Sequence, residues 1–173
     1  MGKRILSLGK PAAGSANGIT ISGGTNAKPI VATIGAGHGL QNGDRIHITG
    51  VTGLTAMNGD WELAGVTATT AQLVGSSGNG SFGGTAVVSV ICDRTPFMAG
   101  RSALVMNGTG FTDGSLLIQG SDDGTTFTAL ATVNCSNLGA TITPWNEIKL
   151  SRYMKCAGSA STGSASVALI GPH

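Results

Sequence analysis

The chain has 173 residues, with ten basic and eight acidic side chains, a formal net charge of +2 and 29 glycines. Because 40% of the residues are hydrophobic and the net charge is small, the composition excludes a disordered chain. The few lysines and arginines also argue against a nucleic-acid-binding surface, which needs clustered positive charge against the phosphates. Scarce charges and many small residues favour a folded surface that packs closely against other subunits.

Residues 1–25 form a segment of their own that lacks the bulk to build a core. The basic Arg4 is followed by the apolar Ile5, Leu6 and Leu8, and then by a stretch rich in glycine and alanine. Two interpretations stay open. The segment is either a frayed terminus or an extended arm in which these four residues contact a partner subunit.

Residues 26–91 contain short β-type runs separated by glycine turns, including two Asn-Gly pairs at Asn42-Gly43 and Asn58-Gly59. No window of about 11 residues has apolar positions at the i, i+3, i+4 and i+7 spacing of a helix. Strands this short, at intervals of about 10 residues, predict a small β-barrel or sandwich. The predicted strands, with one just before this region, are 19–22, 29–34, 45–49, 61–66, 72–74 and 85–91.

The stretch His38–Val51, with the letters HGLQNGDRIHITGV, resembles the signature of a small β-barrel module that is common in phage tail and virion proteins. Leu54–Trp61 is similar to the continuation of that signature. The same module is similar to the first catalytic-cysteine half-domain of ubiquitin-activating enzymes, yet residues 26–91 hold neither a cysteine nor a nucleotide-binding loop. The resemblance covers about a third of the chain and implies a virion building module without activating chemistry.

Residues 92–173 form a second β-unit, for which we predict an antiparallel β-sandwich. Ser121–Thr125 carries an Asp-Gly hairpin signal between two strand candidates. A QGSDDGTTF hairpin, a later RYMK strand and a terminal strand resemble small phage virion β-sandwich domains. The hairpin is also similar to that of discoidin-like carbohydrate-binding sandwiches. The predicted strands are 102–106, 116–120, 126–130, 140–143, 153–156 and 166–170.

Side chains that can carry catalysis are present, but no motif brings them together. A Ser-His-Asp hydrolase needs a nucleophile, a base and an orienting acid, and no G-x-S-x-G elbow accompanies His38, His47 or His173. For His38, between two glycines, we predict a role in a tight turn. Gly35–Gly39 precedes a strand instead of the helix that a phosphate loop requires. We therefore predict no catalytic, cofactor-binding or metal-binding residue, no cofactor and no enzyme.

Asp122 and Asp123 in the predicted hairpin allow two interpretations. With Thr125 they could ligate calcium, which takes six to eight oxygens. Alternatively their side chains accept hydrogen bonds from the backbone amides of the turn, and this is favoured because no D-x-D-x-D-G spacing occurs. Trp61 and Trp145 are predicted to anchor the cores, whereas an exposed Trp145 would support sugar binding.

The three cysteines, Cys92, Cys135 and Cys156, are widely spaced and form no C-x-x-C pair. An odd number at such spacing indicates small buried hydrophobes in a reducing compartment. No apolar run approaches the roughly 20 residues that cross a bilayer, and the N-terminus lacks the apolar core of a signal peptide. We expect the protein to stay, or to assemble, in the host cytoplasm.

The sequence thus predicts an all-β protein with an extended N-terminal arm (1–25), a small β-barrel (26–91) and an antiparallel β-sandwich (92–173). The resemblances imply a bacteriophage virion structural protein. We expect a capsid decoration (cement) protein that binds the outside of the head and stabilises the shell. Its expected partners are the major capsid protein and copies of itself, as a homo-oligomer such as a trimer, with neither nucleic acid nor membrane. The alternative is a tail component, a fibre or an adaptor, with a host- or carbohydrate-binding β-sandwich.

Overall fold

A computed structural model describes residues 4–11, 17–92, 102–109, 115–134, 141–145, 151–158 and 164–171. These ranges contain thirteen β-strands and one 3-10 helix, which confirms the all-β prediction. The elements are β1 (Arg4–Gly9), β2 (Ile21–Gly24), β3 (Ile30–Ile34), β4 (Arg45–Gly53), η1 (Thr55–Met57), β5 (Gly59–Ala64), β6 (Thr70–Leu73), β7 (Phe82–Ile91), β8 (Ser102–Thr109), β9 (Ser115–Ser121), β10 (Thr128–Asn134), β11 (Thr141–Trp145), β12 (Tyr153–Gly158) and β13 (Ser164–Gly171).

The strands form two antiparallel sheets. The large sheet has nine strands in the order β10-β9-β12-β7-β4-β5-β6-β3-β2, and the small sheet has four in the order β1-β13-β8-β11. Each run that the sequence predicts overlaps one of these strands, and β1 is the strand that was not predicted. Within the described ranges no helix is long enough to cross a membrane.

The closed barrel predicted for residues 26–91 is not formed by the described strands. β2 lies against β7, but the two do not pair. β7 pairs with β4 along one edge, and at its C-terminal end it pairs with β12 along the other. The register between β4 and β7 shifts between Thr49 and Val51. Gly50 and Gly84 at this irregularity both have positive φ angles, and a Cβ on Gly50 would lie 2.4 Å from the carbonyl oxygen of Thr85.

The pairing of β7 with β12 carries the large sheet across the predicted domain boundary. Val90 pairs with Met154 and Ile91 pairs with Tyr153. Strands from residues 21–91 and from residues 115–158 therefore belong to one hydrogen-bonded sheet. The division into two domains at residue 91 stays a prediction.

One hydrophobic core contains side chains from both sheets. Residues at alternating positions of β3, β4 and β9 point into it, as the period of two in a strand requires. The small sheet contributes Leu6, Leu8 and Val167, and the large sheet faces them with Met154 and other side chains. This packing of two antiparallel sheets agrees with the predicted sandwich.

Residues 4–9, which the sequence places in a possible arm, pair with β13 of the same chain, from Arg4 with Gly171 to Gly9 with Val167. Leu6 and Leu8 are each 1% exposed, whereas Ile5 is 50% exposed. This segment therefore belongs to the chain's own small sheet. The partner contact predicted for Arg4, Ile5, Leu6 and Leu8 stays a prediction, and Ile5 is the apolar side chain that remains exposed for it.

Cys92 and Cys156 are buried, which confirms that part of the prediction for these two. Cys135 and His173 lie outside the described residues, and so does the side chain of Trp145.

Candidate functional site

The signature around His38 holds a loop in place. His38 is buried between Gly37 and Gly39, whose φ angles of +79° and +67° suit glycine. Its Nδ1 accepts a hydrogen bond from the amide of Leu40 at 2.9 Å, so Nε2 carries the proton and donates to the carbonyl of Thr67 at 3.0 Å. Backbone groups therefore occupy both ring nitrogens, which confirms the predicted turn role.

The other polar residues of the signature also bind backbone. Buried Asp44 accepts a hydrogen bond from the amide three residues before it at 2.8 Å. Asn58 accepts from the amide of Val51 at 3.0 Å and donates to the carbonyl of the same residue at 2.9 Å. Trp61, packed against the core, donates from Nε1 to the carbonyl of Met57 at 2.7 Å. The signature thus fixes the loop before β4 and the connection between β4 and β5.

A polar group on the other face of the large sheet joins β4 and β5 to β12. We call it the junction cluster, and it consists of His47, Asp60, Arg152 and Tyr153. His47 and Asp60 are cross-strand partners, with Nδ1 2.6 Å from Oδ1. The second carboxylate oxygen accepts from Arg152 Nη2 at 3.0 Å and from the Tyr153 hydroxyl at 3.3 Å. One carboxylate therefore binds donors from two distant parts of the chain.

The cluster is sheltered from water on one side and open on the other. The side chains of His47 and Asp60 are 15% and 26% exposed, and that of Arg152 is 47% exposed. Burial of Tyr153 and the nearby Asp60 charge raise the pKa of the phenol above its ordinary value of 10.0. Its ring lies 4.8 Å from that of His47. The phenol therefore stays a hydrogen-bond donor at neutral pH.

Ser89 on β7 is the cross-strand partner of His47 on its other side, so Ser89, His47 and Asp60 stand in a row across three strands. Among the described residues neither Ser89 Oγ nor His47 Nε2 has a hydrogen-bond partner, so the two are not bonded to each other. Ser89 is 2% exposed and Gly124 covers the imidazole, which leaves a substrate no approach to the hydroxyl. The row has the order of a Ser-His-Asp triad without its geometry.

Sequence reasoning did not find the junction cluster. Its members come from three strands, and cross-strand register is not visible in a single sequence. One signal was present beside the cluster: Ser89, the cross-strand neighbour of His47, interrupts the apolar run of residues 86–91, where a polar residue is unexpected.

The hairpin between β9 and β10 is organised by Asp123. Asp123 Oδ1 accepts hydrogen bonds from Ser121 Oγ at 2.8 Å and from the amides of Thr125 and Thr126 at 2.8 and 2.7 Å. The hydrogen bonds from the amides hold the pKa of this carboxyl far below its ordinary value of 3.8. The predicted turn with an aspartate bonded to backbone amides is confirmed. Among the described residues no group of three acidic, histidine or cysteine side chains could hold a metal ion.

Beside this hairpin lies a cavity of about 390 Å³ that is open to solvent. Its walls are formed by small polar residues of the hairpin, of the strands that flank it and of the turn before β12. The lining residues are Gly120, Ser121, Asp122, Asp123, Thr126, Thr128 and Ser151.

Comparisons of the chain with protein-family models, with curated proteins and with solved structures find no match. The family resemblance of residues 38–61 therefore stays a prediction.

Proposed function

We propose that this chain is a non-enzymatic structural protein of a bacteriophage particle that binds the outside of the head as a decoration protein. Bound between neighbouring capsid subunits, it would add buried contact area and so oppose the internal pressure of the packaged DNA. The major capsid protein and further copies of this chain would be its partners.

The main support for the proposal is that the polar side chains of the signature, which resembles virion modules, bind backbone groups. His38, Asp44, Asn58 and Trp61 all form hydrogen bonds with backbone groups of their own loops. Polar side chains with these partners build a fold and are not available for a substrate. The scarcity of charged side chains supports the same conclusion, because a neutral surface suits permanent packing better than electrostatic capture of a mobile partner.

Weak contacts suffice for such a role because they are repeated. A standard interface buries about 1,600 Å², and an oligomer that engages several sites at once gains avidity without new contacts. A cyclic trimer would match a three-fold position of an icosahedral shell. Exposed Ile5 at the edge of the small sheet is the proposed contact point.

Heads that lack the protein provide the test. We expect purified protein to bind isolated heads and to raise the temperature at which they release DNA. Heads that are equally robust with and without the protein, although it binds them, would contradict the stabilising role. Failure to bind heads at all would contradict the decoration proposal.

A second candidate is a tail component with a host-binding sandwich. The open polar cavity beside the β9–β10 hairpin favours it, since a decoration protein has no need of a small-molecule site. Antibody labelling of particles in the electron microscope separates the two, because a decoration protein labels the head and an adaptor labels the tail.

A further inference from the structure

We propose that the cavity beside the β9–β10 hairpin binds a neutral saccharide. This inference does not rest on head attachment, because it concerns a different surface and is tested on the isolated protein. It is argued from the groups that line the cavity, from their charge and from the size of the cavity.

Gly120 lines the cavity, and its lack of a side chain lets two neighbours pack against the main chain. A Cβ at Gly120 would lie 2.5 Å from Ser151 Oγ and 2.7 Å from Leu130 Cδ1. Neither neighbour could remain in place beside a larger residue. The glycine therefore allows the Ser151 hydroxyl to lie at the wall of the cavity.

Some of the lining side chains already form hydrogen bonds within the hairpin. Ser121 Oγ donates to Asp123 and accepts from the amide of Gly124 at 2.9 Å, and Asp123 Oδ1 holds two further amides. Thr128 Oγ1 lies 3.4 Å from the carbonyl of Gly120. These side chains keep the wall rigid, which lowers the cost of ordering it around a ligand.

The remaining lining groups are available for a ligand. Within the described residues the side chains of Asp122, Thr126 and Ser151 form no hydrogen bond with the protein. Asp122 is an exposed carboxylate that accepts only, whereas the two hydroxyls both donate and accept. A pair of neighbouring sugar hydroxyls matches this set, because one can donate to the carboxylate and the other can exchange hydrogen bonds with a side-chain hydroxyl.

The charge of the lining disfavours anionic ligands. The lining contains two aspartates and no lysine or arginine. A phosphate, a sulfate or an acidic sugar would meet two carboxylates with no basic side chain in the lining to offset them. The lining therefore favours a neutral ligand.

The size of the cavity favours a molecule over a single metal ion. A volume of 390 Å³ equals that of about a dozen water molecules at about 30 Å³ each, and it falls in the usual range for small-molecule sites. Calcium needs oxygens at about 2.3–2.6 Å on all sides, whereas only Asp122 offers an uncommitted carboxylate. One or two sugar rings fill the space better.

We expect the binding to be weak and to depend on hydrogen bonds. Phe127, next to the cavity, has the ammonium group of Lys155 over its ring, 4.4 Å from the centroid. That face is not open for stacking on a sugar. A dissociation constant on the order of millimolar follows for one site, and many copies on one particle would lower the apparent constant by avidity.

The test is a titration of the whole chain, followed by the amide resonances of residues 120–128, with the methyl glycosides of glucose, galactose and mannose. Methyl sialoside and calcium chloride are run as separate arms. We expect saturable shifts with at least one neutral glycoside, and at least a tenfold weaker affinity in D122A, because a hydrogen bond to a charged group is lost. E62Q, which removes an exposed carboxylate outside the cavity, should bind as the unchanged protein does.

Four results would overturn the proposal: no shift with any neutral glycoside at tens of millimolar, tighter binding of the sialoside, shifts that calcium alone produces, or unchanged affinity in D122A. Asp122 is exposed in a turn, so this variant folds, which a melting curve verifies. None of these results bears on attachment to heads, which is measured with particles.

Discussion

Gly124 of the β9–β10 hairpin lies directly over the imidazole of His47, so close that a Cβ on Gly124 would be 2.7 Å from His47 Nε2. Because His47 is on β4 and the hairpin follows β9, this contact ties together strands that are far apart in the sheet order. The β9–β10 turn therefore covers the junction cluster, and this position requires a glycine because a side chain would collide with His47.

A comparison of G124A with the control G75A separates the energetic effect of this contact from that of backbone strain. Both glycines have left-handed φ angles, +76° and +79°, but a Cβ on Gly75 meets nothing within 4 Å. We expect G75A to lower the free energy of unfolding by about 1 kcal/mol and G124A by about 2–4 kcal/mol, since overpacking adds to the strain. Urea unfolding measures both. Equal losses would mean that the contact with His47 adds nothing.

Changing Asp60 to asparagine tests the junction cluster itself. The amide keeps the shape but loses the charge that binds His47, Arg152 and Tyr153. We expect D60N to cost about 1.5–3 kcal/mol in urea unfolding, as for hydrogen bonds to charged groups. E62Q, an exposed position on the same strand, should cost less than about 1 kcal/mol. If both variants unfold alike, the cluster is not a stabilising link.

The hairpin should lose stability in acid. The folded pKa of Asp123 lies below its ordinary value of 3.8 because backbone amides bind the carboxylate. A depressed folded pKa gives a stabilisation that is complete above the unfolded pKa and disappears as the pH falls below it. Hydrogen exchange of residues 121–126 should therefore speed up, relative to the core, below about pH 4. In D123N this acid response should be absent, and its persistence there would assign it to another group.

Alkaline pH should lower the free energy of unfolding through the ionisation of Tyr153, the single tyrosine of the chain. Its folded pKa is raised by burial and by Asp60, so above pH 10 the unfolded chain releases a proton that the folded chain keeps. The free energy of unfolding should therefore fall as the pH rises beyond about 10. Phenolate absorbance in the folded protein should show a midpoint above 10, and Y153F should flatten the decline. A midpoint at or below 10 would contradict the buried, hydrogen-bonded phenol.

Ile5 should matter for binding to heads and Val74 should not. The two are similarly exposed, at 50% and 48%, so aspartate at either position leaves the core intact. We expect I5D to weaken binding at least tenfold, because a buried apolar contact contributes about 1.5 kcal/mol or more. V74D is the control, and co-sedimentation with heads measures both. A stronger effect of V74D would move the contact surface to the other sheet.

Local patterns revealed most of the strands but not their partners. Alternation over Arg45–Thr49 and the Asp-Gly turn after Ser121 predicted β4 and the β9–β10 hairpin, because both depend on neighbouring residues. β1 was missed because its alternating Leu6 and Leu8 become interpretable only once β13 is beside it. Asp60 and Arg152 stand 92 residues apart, and only the register of three strands brings them together. The pairing of β7 with β12 could not be predicted, because nothing in the sequence near β7 indicates that β12 takes its second edge.

The pairing of Arg4 with Gly171 has a consequence for biosynthesis. β1 is synthesised before β2–β12 and β13 after them, so Leu6 and Leu8 lack their partner strand until all the strands between have been made. Contacts between residues this distant in sequence form slowly. An apolar strand that is still unpaired during synthesis is prone to aggregation. Chaperone supply during translation should therefore govern the soluble yield of this protein.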